Sequence, residues 1–210
     1  MHLLNKQRKW VYLVTGVMLL FTAHLPRLNG ERRKMPFDQI LNTTLKLEGG
    51  LNKKEVGGGI SNYGITQKTY NSVAPQLGLP NKNVKDINYG EVRSVYENEY
   101  YKKPKYNQLP TERIQGLMFD WGVNAGTGTA TKKLQQIVGT KPDGKIGKKT
   151  LEAVNKYISE KGEDALAFDI LSSRANHYQE LIASDPNKYG YWEEGWNNRI
   201  NYLAKRYASS

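Results

Sequence analysis

The sequence predicts a mainly α protein, and three observations carry that expectation. Apolar residues recur at steps of three and four in one segment after another from residue 37 onward. The two-residue alternation of a strand is nearly absent, with room for at most a small hairpin across residues 51 to 65. Glycine, proline and capping residues stand where the periodic stretches end.

The first element differs from the rest. "MHLLNKQRK" is a basic start, and "WVYLVTGVMLLFTA", residues 10 to 23, is an uninterrupted apolar run. As a helix this run would be roughly 21 Å long, short of a ~30 Å hydrocarbon core unless its flanks are drawn in. Basic flank and length together point to an export signal or a short signal-anchor. A cleavage site ending at Ala23 would need Phe21 at a small-residue position, which favours an uncleaved anchor helix. Lys6, Arg8 and Lys9 would then stay in the cytoplasm and the rest of the chain would lie in the periplasm or outside the cell. The expectation is therefore an inner-membrane tether through residues 10–25. Linker composition follows in "HLPRLNGERRKMP", so residues 1–34 are expected to be signal-anchor and linker.

The globular part opens with "MPFDQILNTTLKLEGG". Phe37, Leu41, Thr44 and Leu45 form one stripe, Asp38 stands in the first turn, and Gly49 and Gly50 read as the stop. Glu48 is four residues past Thr44 and three past Leu45, which puts it on the apolar stripe. Apolar surroundings and the negative end of the helix dipole both disfavour a charged carboxylate there. Such a carboxyl holds its proton toward neutral pH and can donate it to a leaving oxygen. The plainer alternative is a Glu whose stem packs while its head reaches solvent at a frayed helix end.

"GITQKTYNSVAPQLGLP" then reads as a short helix closing in a Pro/Gly turn. "NYGEVRSVYENEYYKKPKYNQLP" reads as a helix with Val92, Val95, Tyr96 and Tyr100 at helical spacing, broken at Pro104. Thr111 caps "ERIQGLMFDWGVNAG", whose stripe of Ile114, Leu117, Met118 and Trp121 makes residues 112 to 124 the helix the others pack around. Beyond residue 129 come four more helical patterns and the turn "TKPDGKIG".

Composition narrows the chemistry. There is no cysteine, and the three histidines, His2, His24 and His177, are too dispersed to hold a metal. No metal or cofactor is expected, and carboxylate chemistry is the main option left. Fourteen Tyr and four Trp against four Phe form a surface-reaching aromatic set of the kind that stacks on sugars, although Tyr serves half-buried structural positions equally well. Of the net charge of +11, residues 1–34 carry +6, from seven Lys/Arg against Glu31. The remaining +5 suits a modest attraction to a polyanion, and with no basic helix interleaved with aromatics, nucleic acid is the weakest candidate.

The ordered set "EGG", "SNYGIT", "FDWGVNAGTGTATKKLQ", "DGKIGKKT" and "GWNNR" resembles the glycoside hydrolase family 108 muramidases, which include phage endolysins and secretion-linked bacterial enzymes. The resemblance runs from about Phe37 to Tyr202. It implies a lysozyme-like helical region over residues 35–128 and a small peptidoglycan-binding-like helical module over residues 129–210. It also implies that Glu48, the Glu of E-G-G, is the catalytic acid. The family usually continues with Asp-x-Gly-Gly-x-Thr-x-x-Gly-Ile, where this chain has "EVGGGISNYGI". Either Glu55 stands in for the Asp with one residue inserted, or Val56 occupies that position, and Ser61 takes the Thr place in both. Inverting hydrolysis needs a second carboxylate about 6.5 to 9.5 Å from the acid, which favours Glu55, with Ser61 orienting the water. A solvated loop charge and a turn-forming Ser are their plainer readings.

Three more residues are expected at the substrate. Tyr63 would stack on a sugar or pack, and Asn124 would hold an N-acetyl group or brace its turn. Asp120 would contact substrate or accept backbone N–H bonds from "GVNAG". The leading expectation is a monomeric, exported endolysin-like enzyme that binds glycan strands and cleaves the β-1,4 bond between N-acetylmuramic acid and N-acetylglucosamine. A lytic transglycosylase using a single Glu and a non-catalytic wall-binding protein are the alternatives.

Overall fold

A computed structural model describes residues 13–14, 17–18, 37–48 and 61–207. Within the N-terminal apolar run, β1 (Leu13–Val14) and β2 (Val17–Met18) pair antiparallel, Leu13 opposite Met18 and Val14 opposite Val17. These four residues are extended where a helix was expected. The rest of residues 1–34, and with it the expected signal-anchor, lies outside the described residues. Among the described residues no helix is long and apolar enough to cross a membrane.

The chain divides into two compact units, one of Lys34–Ile170 and one that joins Met1–Arg33 with Leu171–Ser210. The first begins with α1 (Phe37–Leu47), which buries Ile40, Leu41, Thr43 and Thr44. A small hairpin follows, β3 (Ser61–Asn62) with β4 (Ile65–Thr66), Ser61 opposite Thr66. Thr66 caps α2 (Gln67–Val73) by accepting from the Thr69 N–H, and a 3-10 turn, Ala74–Leu77, closes at Gly78 with φ +65°. The start of α3 (Tyr89–Tyr96) is set by a capping box between Asn88 and Glu91. Its end passes directly into a π-helical turn, Glu97–Lys102, marked by the Lys103 N–H donating to the Asn98 carbonyl at 2.9 Å.

Thr111 caps α4 (Glu112–Ala125), as expected, and nine of its residues from Arg113 to Gly122 are buried. A helix buried nearly all round is the centre of its unit. Around it one core joins Ile40 and Leu41 of α1, Ile65 of the hairpin, Tyr70 of α2, Val92, Val95 and Tyr96 of α3 and Phe119 of α4.

After α5 (Thr127–Ile137) the "KPDGK" turn is organised by one buried amide. Gln135 Nε2 donates to Asp143 Oδ1 at 2.8 Å and to the Lys145 carbonyl at 3.0 Å, while its Oε1 accepts from the Gly144 N–H at 2.8 Å. Then come α6 (Lys148–Lys161) and α7 (Glu163–Ser184), and an Arg113–Asp164 ion pair joins α4 to the start of α7.

The second unit includes the end of α7, α8 (Pro186–Tyr189), a 3-10 turn at Gly190–Trp192 and α9 (Glu193–Tyr207). Tyr178 stacks on Trp196 with centroids 4.5 Å apart, and Ile200, Leu203 and Tyr207 are buried.

Candidate active site

The end of α1 delivers Glu48. Its N–H is shared between the carbonyls of Thr44 (3.2 Å) and Leu45 (3.3 Å), so Glu48 lies in a loosened turn just past the helix, half-buried. One turn earlier, Thr44 Oγ1 donates to Asp120 Oδ2 at 2.9 Å, with both residues buried. That bond fixes the last turn of α1 against the buried helix α4.

Facing Glu48 is the tip of the β3–β4 hairpin. Tyr63 and Gly64 both have positive φ, +52° and +76°, the pattern of the two-residue turns whose twist matches a hairpin. Gly64 takes this conformation freely, but a side chain as large as Tyr63 is costly there, by roughly 1–2 kcal/mol. Two contacts hold it: Tyr96 Oη donates to the Tyr63 carbonyl at 2.6 Å, and the Tyr63 ring packs on the core. The hairpin is anchored further by the buried Asn62, whose Nδ2 donates to the carbonyls of Val84 (3.1 Å) and Lys85 (3.2 Å).

The approach at Gly64 is tight. A Cβ there would stand 3.0 Å from Tyr96 Oη and 3.4 Å from Glu48 Oε2, so a hydroxyl and a carboxylate oxygen converge on one glycine. Beside them, the Tyr100 ring lies 5.5 Å from that of Tyr96. Burial first, then the charge of Glu99, then that of Glu48 hold the Tyr100 hydroxyl above its ordinary pKa. Glu99 itself pairs with Lys103 at 2.8 Å and accepts from Asn98 Nδ2 at 2.9 Å. Tyr100 and Glu99 belong to the π-helical turn, a distortion often found at functional sites.

Of the residues read from sequence, Glu48 and Tyr63 come together here. Ser61 is half-buried at the base of the same hairpin. Asp120 is wholly buried and accepts from the Thr44 hydroxyl, so it braces the end of α1 against α4. Asn124 is half-buried one turn further along α4. Glu55 lies outside the described residues. Gly64, Tyr96, Glu99 and Tyr100 were not anticipated at the site. The signal for the tyrosines was their hydroxyls, on a stripe where Leu would pack as well.

A half-buried carboxyl at a helix end, lined by tyrosine hydroxyls, suits proton donation to a leaving oxygen. Residues 41–126 match the family model described as Glycosyl hydrolase 108, and residues 129–201 match one described as a predicted peptidoglycan domain. Among solved structures, the chain is similar to that of Brucella abortus SagA, with a TM-score of 0.64 at 25% identity, over 81% of this chain and 92% of that one. No curated protein matches it.

Proposed function

Because residues 41–126 belong to the glycosyl hydrolase 108 family, and the chain is thus a glycoside hydrolase acting on peptidoglycan, we propose that it is an N-acetylmuramidase with Glu48 as its proton donor. The bond cleaved is the β-1,4 link from N-acetylmuramic acid to N-acetylglucosamine. The observation that carries this reading is the convergence of Glu48 Oε2 and Tyr96 Oη on the Gly64 turn. It presents the carboxyl at a rigid, partly desolvated position where a glycosidic oxygen could be protonated as its bond to the sugar breaks.

Glu55 then takes a proton from water on the opposite sugar face, with Ser61 orienting that water, and the anomeric centre inverts. Supporting this is the sequence order, in which Glu55 lies between Glu48 and Ser61 in a glycine-rich stretch. Residues 35–128 act as the catalytic region and residues 129–210 as the wall-binding module, although the compact units divide at residue 170. Export by the basic, apolar N-terminal segment would bring the enzyme to its substrate.

Digestion of purified peptidoglycan, followed by reduction and mass spectrometry, tests the proposal. Fragments ending in reducible N-acetylmuramic acid are expected. Ends that are 1,6-anhydro would establish a transglycosylase instead, and reducible N-acetylglucosamine ends would move the cut to the other bond.

A further inference from the structure

The second unit carries a surface that its own packing does not use. Three large hydrophobic side chains are exposed among the described residues, Tyr89, Tyr191 and Trp192, and two of them are neighbours. Tyr191 is 86% exposed and Trp192 47%. Their rings meet edge to face, centroids 5.3 Å apart, with their planes at 84°. The packing aromatics of this unit are different residues: Trp196 lies against Tyr178 at 4.5 Å and near Tyr189 at 6.4 Å. Every residue from Tyr191 to Gly195 is exposed, so the polar Glu193 and Glu194 directly follow the two rings in the chain.

Leaving two adjacent aromatics in water forgoes the burial energy of both, and such a pair marks a contact surface more often than chance. Rings flanked by hydrogen-bonding groups fit a pyranose, whose C–H face is apolar and whose rim is hydroxyl and amide. The span matched by the predicted peptidoglycan domain, residues 129–201, includes this turn. We propose that Tyr191 and Trp192 form a glycan-stacking site that holds N-acetylated sugars of the peptidoglycan strand, separate from the cleavage site at Glu48. The proposal rests on the reading of this chain as a peptidoglycan hydrolase and assigns its wall contact to named residues.

Cosedimentation with purified insoluble peptidoglycan tests it, using the full chain carrying Glu48→Gln so that binding is measured without digestion. Adding Tyr191→Ala and Trp192→Ala together should raise the apparent Kd about tenfold, the loss of one good stacking contact or more. Tyr191→Phe keeps the ring and should bind as the parent does. Circular dichroism should be unchanged in all variants, since both side chains are exposed. In the Glu48 chain, the double alanine variant should clear insoluble wall more slowly and cut short soluble muropeptide oligomers at the parental rate. A double variant that pellets like its parent overturns the site, and so does a parent that does not pellet. A chain that pellets through Tyr191 and Trp192 yet releases no sugar ends would count against the proposed hydrolysis and leave this site standing.

Discussion

Tyr96 Oη donates a 2.6 Å hydrogen bond to the backbone carbonyl of Tyr63, and through that bond the end of α3 holds the turn that faces Glu48. The bond joins residues 33 apart in sequence and secures a backbone conformation that Tyr63 would not choose alone.

Removing that hydroxyl should reveal its task. Tyr96→Phe keeps the ring in the core and loses one hydrogen bond, so stability should fall by only about 1 kcal/mol. The turn, freed from its tether, no longer fixes the wall opposite Glu48, and kcat should fall about tenfold or more with a smaller change in KM. Steady-state kinetics beside a denaturant titration would check both; a parental kcat would show that the clamp serves the fold alone.

Gly64 and Gly78 make a matched pair. Both have positive φ, +76° and +65°, so an alanine at either is strained by about 1 kcal/mol. Gly78 has nothing within 4 Å of its added Cβ, whereas Gly64 has Tyr96 Oη and Glu48 Oε2. Gly78→Ala should cost stability and leave turnover intact. Gly64→Ala should cost more stability and most of the activity. Equal effects of the two on turnover would separate the Gly64 contact from catalysis.

Glu48→Gln should reduce wall cleavage about 100-fold or more, the usual worth of general acid catalysis, while the protein stays folded. Turbidity clearing of permeabilised cells would measure the rate. A variant keeping more than about a tenth of it would remove Glu48 from the role of proton donor.

Glu91 sets an acid limit to stability. Burial is the largest single influence on its carboxyl and favours the protonated form. The hydrogen bond from Lys82, the Asn88 N–H and the Lys82 charge together outweigh it, and the folded pKa lies below the ordinary 4.5. A carboxyl with a depressed folded pKa adds stability that is complete above its unfolded pKa. That contribution is lost as pH falls from about 4.5 through the folded value. Glu91→Gln keeps an oxygen for the Asn88 N–H but loses the Lys82 ion pair, and should lower stability at neutral pH by about 1 kcal/mol or less. It should also flatten the fall in melting temperature below pH 4.5. Parallel curves for the two proteins would assign the acid limb to another group.

The helical skeleton was legible because its signals are local. Thr111 capping α4 and Pro104 ending the α3 region each state their conformation within a few residues. Glu48 was legible for the same reason, as a carboxylate on the apolar side of a helix end. Thr44 was read as part of an apolar stripe, and its hydroxyl instead meets Asp120, 76 residues away, a pairing no periodicity contains. Tyr96 and Tyr100 likewise counted as packing, since spacing does not distinguish a ring that fills space from a hydroxyl that holds a turn. The π-helical turn escaped because it changes hydrogen-bond register without changing the apolar pattern that precedes it.

That turn also shapes how the protein can evolve. A π-helical stretch amounts to a helix with one residue inserted, and loss of a single codon within 97–102 would let α3 run on as an ordinary α-helix. Val92 and Val95 precede the change and would keep their places in the core. Every side chain beyond the deletion would swing about 100° around the axis, taking Tyr100 away from Glu48. If Glu48 is the proton donor, one short genetic event would thus take Tyr100 from the proposed site in a chain that still carries Tyr191 and Trp192.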